Sequence, residues 1–150
     1  MPTITPFLWF ENQAEQAMQH YLSIFKHGKA INVSRNGSHV VSVTFELEGQ
    51  RFIGLNAGPH DKFNEAISFF VNCETQDDID YYWEKLSAGG SESRCGWLKD
   101  KFGVSWQVVP AALGRLMSDP NPAKARAAVD AMMTMKKLVI ADLQRAHDEA

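Results

Sequence analysis

Metal ligation, proton transfer and nucleophilic attack each need particular side chains at workable spacing, and this chain offers few. Its five histidines, His20, His27, His39, His60 and His147, form no HxH or HExxH pair that would bring two imidazoles to one metal. His20 stands beside the apolar stripe of an expected helix, and His27 stands near its end, where a cation suits the helix dipole. Both read as surface or capping residues. His60 follows the Gly58-Pro59 turn and is kept as a candidate at a pocket rim. Cys73 and Cys95 are too few for a disulfide framework. Cys73 precedes an expected helix by a few residues, a position that modestly favours a thiolate, although buried structural thiols are the better reading for both. Lys99, Asp100 and Lys101 cluster at a strand end, where Asp100 fits a solvated turn and accepts backbone N–H groups around Gly103. Glu46 and Glu48 alternate with Phe45 and Leu47 as solvent-facing strand positions, and Met132, Met133 and Met135 suggest core or dimer contacts.

Composition narrows the classes. The 150 residues suit one domain of ordinary size or two small halves sharing a core, and 45% apolar against 22% charged residues can fill that core. A net charge of -3 lacks the basic surplus of a nucleic-acid binder. No apolar run approaches the roughly 18 residues of a membrane span, and Met1 to Pro6 lacks the basic start and apolar stretch of a secretory signal. A cytoplasmic protein with no nucleic-acid or membrane partner is expected.

The elements that position these residues follow from periodicity. Ile4 to Phe10 reads as a strand. Ala14, Ala17, Met18, Tyr21, Leu22 and Phe25 form one helical stripe, with Asn12 as the expected cap and Gly28 as the stop. Strands are expected at Ala30 to Arg35, across Val41 to Leu47, and at Arg51 to Asn56, with Asn36-Gly37 as a tight turn. The order then repeats: a strand at Ala66 to Val71, a helix carrying Ile79, Tyr82, Trp83 and Leu86, a stop at Gly89-Gly90, and strands near Arg94 to Lys99 and Val104 to Val109. A shift of 61 positions lays Met18, Tyr21, Leu22 and Phe25 on Ile79, Tyr82, Trp83 and Leu86, and Leu8-Trp9-Phe10 on Phe69-Phe70-Val71. Together with the matched element order, this points to an internal duplication. After Asn121-Pro122, a cap followed by a first-turn proline, Ala125 to Leu143 recur at helical spacing as one long helix or two short ones.

A doubled strand-helix-three-strand unit resembles the vicinal oxygen chelate superfamily, the glyoxalase/bleomycin resistance/dioxygenase fold. Leu55-Asn56-Ala57-Gly58-Pro59, Phe63 to Phe69, Cys95 to Gly103 and Ser105-Trp106-Gln107-Val108-Val109-Pro110 are similar to its PhnB-like branch, many of whose members are labelled 3-demethylubiquinone-9 3-methyltransferase. The resemblance implies an α+β fold of two paired βαβββ modules, about residues 1–62 and 63–112, with residues 113–150 as a C-terminal helical extension of the same domain. It also implies sheets wrapped around a cavity, and a homodimer.

Metal-binding relatives hold a divalent ion on the first and last strands of each module, usually with His and Glu. By that resemblance the matching positions here are Pro6, Asn56, Ala66 and Gln107, which supply two neutral amides and no anion. Divalent transition metals want imidazole, carboxylate or thiolate, so neither a metal nor another cofactor is expected. Strand parity directs Leu8, Phe10, Asn56, Ser68, Phe70, Ser105 and Gln107 toward the cavity, and Ile67, Phe69, Val71, Trp106 and Val108 toward the helices. His60 and Cys95 complete the pocket candidates. Aromatic walls with a few amides and hydroxyls suit a small-molecule ligand. The alternatives are an enzyme of the same fold, metal-dependent and lyase- or dioxygenase-like, or the methyltransferase of the family label. No strand-to-helix turn carries the Gly-x-Gly of a Rossmann-type S-adenosylmethionine site.

Overall fold

The computed structural model describes every residue from Met1 to Ala150. The chain divides into two units, Met1–Phe63 and Asn64–Ala150. The first contains β1 (Phe7–Phe10), α1 (Ala14–Ile24), β2 (Gly28–Asn36), β3 (His39–Leu47) and β4 (Gln50–Asn56). The second contains β5 (Phe69–Cys73), α2 (Gln76–Ser87), β6 (Ser91–Glu92), β7 (Trp97–Lys99) and β8 (Ser105–Pro110), followed by α3 (Ala111–Met117), α4 (Pro122–Met133) and α5 (Ile140–Asp148). The sheet orders are β1-β4-β3-β2 and β5-β8-β7-β6, so both units use one topology. In each, the first strand runs parallel to the fourth and the other pairings are antiparallel. The βαβββ repeat inferred from the sequence is therefore present in the backbone, in an α+β fold with helices at the C-terminus.

In the first unit, α1 buries Ala14, Ala17, Met18, Tyr21 and Ile24 against Val43, Phe45 and Leu47 of β3 and Phe52 of β4. The fit is tight at Gly54, where a Cβ would stand 3.2 Å from Phe10 and 3.5 Å from Ala14. Asn12 does not cap α1. The first helical N–H, that of Ala14, is accepted by the side chain of Asn56 at 2.9 Å. The helix stops at Ile24, and Gly28 opens β2 instead of closing the helix.

In the second unit, β5 begins at Phe69, three residues later than expected. Asn64 explains the delay: its side chain accepts the Ala66 N–H at 2.8 Å, an Asx turn that holds residues 64–66 out of the ladder. Thr75 caps α2 through the Asp78 N–H, and the helix buries Ile79, Trp83 and Leu86. The tail resolves into separate helices, with Asn121 capping α4 through Ala123 and Lys124 and Pro122 in its first turn. Leu113, Leu116, Ala128, Leu138 and Leu143 gather around Val109 of β8 as a further core. No helix is long and apolar enough to cross a membrane.

The end of α5 is fastened electrostatically. His147 lies between Asp148 at 2.9 Å and Asp119 at 2.8 Å, and Lys124 donates to the backbone carbonyls of His147 and Asp148. Hydrogen bonds from Asp148 and then Asp119 raise the His147 pKa above its ordinary 6.5. The Asn121 N–H and then His147 lower Asp119, and His147 and then Gln144 lower Asp148, below the ordinary 3.8. The raised histidine contributes fully below about pH 6.5 and loses its contribution as pH rises through its folded value. The lowered carboxylates contribute fully above about pH 4 and lose their contribution on acidification. Protection of the α5 amides, taken relative to their intrinsic exchange rate at each pH, should therefore be greatest between those limits and fall on either side. A His147→Ala variant should lose the alkaline limb of that profile, and an unchanged profile would remove the fastening role.

Candidate functional site

The two sheets differ in what their open faces offer. In the first, strand pairing sets Phe7 opposite Ile53 and Trp9 opposite Leu55. These residues alternate with buried Leu8 and Phe10 and with Gly54, which face α1. Three expected pocket residues therefore lie on the helix side. Leu8 is 7% exposed, Phe10 is 2% exposed, and the Asn56 amide is spent on Ala14 and on the Val40 carbonyl. Parity leaves the choice of face open in β1, because Phe7 and Trp9 are as apolar as Leu8 and Phe10. The 61-residue shift resolves it. Leu8 and Phe10 align with Phe69 and Val71, which belong with the helices, whereas Trp9 aligns with Phe70. Trp9, missed as a candidate, is the residue on the open face, and its indole donates to the Gly58 carbonyl at 2.9 Å.

In the second sheet, Trp106 and Val108 are buried, and Phe69 meets Trp106 edge-on at 5.3 Å. The intervening residues face the other way. Gln107 stands between Phe70 on one neighbouring strand and Trp97 on the other, and Lys99 stands between Ser105 and Ser91. Gln107 donates to the Ser68 hydroxyl at 3.0 Å, and Phe70 remains 51% exposed. The fold thus brings Ser68, Phe70, Ser105 and Gln107 onto one face and adds Trp97 and Lys99, which sequence reasoning left out. Their alternation with Leu98, itself 1% exposed, was the signal available for both.

Beside these residues lies a pocket of about 190 Å³ lined by Ser105, Lys99, Trp97, Ser91, Ser93 and Glu65 among others. Ser105 is 2% exposed, and its hydroxyl has no hydrogen-bond partner. An unsatisfied buried hydroxyl costs about 1–3 kcal/mol, so it marks a place where folding alone does not complete the bonding. At the pocket mouth Lys99 forms an ion pair with Glu65. The Lys99 hydrogen bond holds the Glu65 carboxyl below its ordinary range.

The β7–β8 hairpin holds these groups in register through Asp100. Far from being a solvated turn residue, Asp100 is 2% exposed. It accepts the N–H of Phe102 at 2.8 Å and of Val104 at 3.0 Å on one oxygen, and the Trp106 indole at 2.9 Å on the other. Cys95, a pocket candidate, belongs to a different structure. It has a φ of 58° and passes to Gly96 at 84°, so two left-handed residues turn the chain into β7. Their N–H groups bond to the carbonyls of Met135 and Lys136, and the Cys95 sulfur contacts Met133 at 3.8 Å. The turn serves the C-terminal helices, and a Cβ at Gly96 would stand 2.8 Å from the Val108 carbonyl. His60 is exposed beyond the Gly58 turn. Cys73 is buried, and burial, with Asp78 nearby, pushes its thiol up to about 11, which reverses the expected thiolate preference.

The donor set does not fit a metal. By strand pairing the counterpart of Gln107 in the first unit is Leu55, since Trp9 lies opposite Leu55 as Phe70 lies opposite Gln107. Leu55 and Ala66 carry no ligating atom, and no three His, Cys, Asp or Glu residues are grouped so that they could hold a metal ion. S-adenosylmethionine finds no Gly-rich strand-to-helix turn either, because the β1–α1 and β5–α2 connections contain no glycine.

Residues 2–109 match the 3-demethylubiquinone-9 3-methyltransferase family, and α3, α4 and α5 lie beyond that match. A PhnB protein of Bacillus cereus is 35% identical over 73% of this chain and 100% of its own, with a TM-score of 0.69. Protein PA1353 of Pseudomonas aeruginosa, 16% identical over 73% of this chain and 98% of its own, superposes with a TM-score of 0.62. The fosfomycin resistance protein FosX of Listeria monocytogenes, complexed with Mn(II) and sulfate, is 15% identical over 71% of this chain and 89% of its own, with a TM-score of 0.50. The last two share the fold. No curated protein matches the chain.

Asp100→Ala should lower stability by about 2–4 kcal/mol in urea denaturation, since three donors lose their acceptor. It should also speed amide exchange at Phe102 and Val104. A loss under about 1 kcal/mol would deny Asp100 that role. Cys73 should resist iodoacetamide at pH 8 in the native protein and react once the chain is unfolded.

Proposed function

The chain belongs to the 3-demethylubiquinone-9 3-methyltransferase, or PhnB-like, family of the glyoxalase/bleomycin resistance/dioxygenase superfamily, and from that premise we propose that it binds a small, partly aromatic molecule on the open face of its second sheet, without a resident metal. The observation that carries this reading is the unsatisfied Ser105 hydroxyl beside the Trp97 and Lys99 pocket. A ligand atom that bonds to that hydroxyl recovers a cost already built into the free protein. Trp97 and Phe70 supply aromatic surface, and Gln107, steadied by Ser68, supplies an amide. Phe70 and Gln107 stand beside the pocket, whose own lining sets mostly polar groups around the Trp97 ring, and such groups would orient a small ligand. Exposed Phe7, Ile31 and Ile67 leave apolar surface that a second copy of the chain would cover, which supports a homodimer, and we place that dimer in the cytoplasm.

Ser105→Ala separates a ligand-binding hydroxyl from a structural one. Removing an unpaired buried hydroxyl should leave the free protein as stable as wild type, or up to about 1 kcal/mol more stable. The same change should shrink the thermal shift given by hits from a screen of aromatic fragments. A destabilised free variant with undiminished shifts would sink the proposal. Elemental analysis of protein purified without chelator should find no stoichiometric transition metal, and finding one would favour a metal-dependent lyase- or dioxygenase-like enzyme. S-adenosylmethionine at saturating concentration should leave the melting temperature unmoved, and a rise would restore the methyltransferase reading.

A further inference from the structure

Lys99 and Glu65 say more about the ligand than the pocket's shape does. Lys99 projects from β7 directly across from Ser105, and both residues line the pocket, with the unsatisfied hydroxyl just beneath its surface. Glu65 comes from the turn before β5, and its carboxylate rests on Lys99. The side chains are 40% and 60% exposed. An exposed pair of this kind is weak and easily exchanged, yet it shows that a carboxylate fits at this place on the pocket rim.

We propose that the pocket takes a planar aromatic carboxylate whose acid group replaces Glu65 on Lys99 while its ring lies along Trp97. The assignment rests on the ligand-binding reading above and narrows it to an anion. Ser105 then bonds to a ligand oxygen, and the released Glu65 turns to solvent. Glu65 acts as a tethered competitor: the chain carries its own low-affinity carboxylate, which a better-placed one displaces. The other acidic lining residue, Glu92, is engaged with the Trp83 indole at 3.1 Å and does not compete for Lys99. Serines 91 and 93 add neutral rim groups.

Amide-shift titrations of the full chain with 2-naphthoate and its neutral analogue 2-naphthamide test this. Naphthoate should move the amides of Trp97, Lys99 and Ser105 and bind at least about tenfold more tightly than naphthamide, because a lysine distinguishes the anion. Glu65→Gln should tighten naphthoate about two- to fivefold, the range expected from removing one weak exposed ion pair. Lys99→Met should abolish the preference, and Lys99→Gln provides the same reading with the polarity kept. Wild-type protein gives an independent measure: added NaCl should weaken naphthoate and spare naphthamide. Equal binding of both probes, unchanged in the Lys99 variants, would overturn the anion assignment and leave the ligand-binding reading standing. Naphthoate shifts confined to residues away from β7 and β8 would also overturn it. Failure of the broader reading shows itself separately, in the Ser105→Ala fragment screen.

Discussion

The open face of the second sheet depends on one buried carboxylate. Asp100 gathers two backbone N–H groups and the Trp106 indole within six residues of itself, out of contact with water. Charge-assisted hydrogen bonds of this kind are about twice as strong as neutral ones, and a buried anion needs them to be tolerated at all. The consequence is geometric. With the turn closed, β7 and β8 have one register, Trp106 is pinned toward α2, and the residues on either side of it must face the other way. Ser105 and Gln107 reach the open face because Trp106 cannot.

The same alternation explains the character of the site. Strands buried on one face divide their residues between packing and exposure. In the first sheet the helix face consumes Leu8, Phe10 and Asn56, and the Asn56 amide acts as the N-terminal cap that the residues next to α1 fail to supply. In the second sheet α2 is capped locally by Thr75, and the position that pairs as Asn56 does carries Val108, which has no amide to offer the helix. The two copies of one topology have thus diverged: the amide near the end of β4 is structural, whereas Gln107 of β8 lies open with Phe70 and Trp97.

The C-terminal helices add a further layer to the second unit. They lie outside the region shared with the family, yet Met135 and Lys136 receive the N–H groups of Cys95 and Gly96 at the entrance to β7. Leu138 packs against Gly96, and Gln76 of α2 bonds to the backbone on both sides of Val139. The strand that carries Trp97 and Lys99 is therefore held at its start by the extension and at its end by Asp100. Both constraints act on the strand's ends and leave the outward side chains of Trp97 and Lys99 out of the packing.

Periodicity and turn chemistry are local properties, and the sequence by itself determined what depends on them: the duplicated βαβββ order, the apolar stripes of α1 and α2, the Asn36-Gly37 hairpin and the Asn121-Pro122 helix start. Strand parity also put Ser68, Phe70, Ser105 and Gln107 on one face, together with Leu8, Phe10 and Asn56, and in β8 the alternation with apolar Trp106 and Val108 leaves a single choice of face. In β1 aromatic and aliphatic residues occupy both faces, and only the tertiary packing of α1 decided that Leu8 and Phe10 lie inward. The start of β5 was settled by an Asx turn competing with the ladder, and the task of Cys95 by partners distant in the chain; Asp100 is buried through bonds to neighbours two to six residues away that only the closed β7–β8 hairpin brings onto its carboxylate. The pairing of Lys99 with Glu65 and the solitary Ser105 hydroxyl belong to the same class: a hydrogen bond made across 34 residues or left unmade beneath a pocket is a property of the packed chain and not of any segment of it.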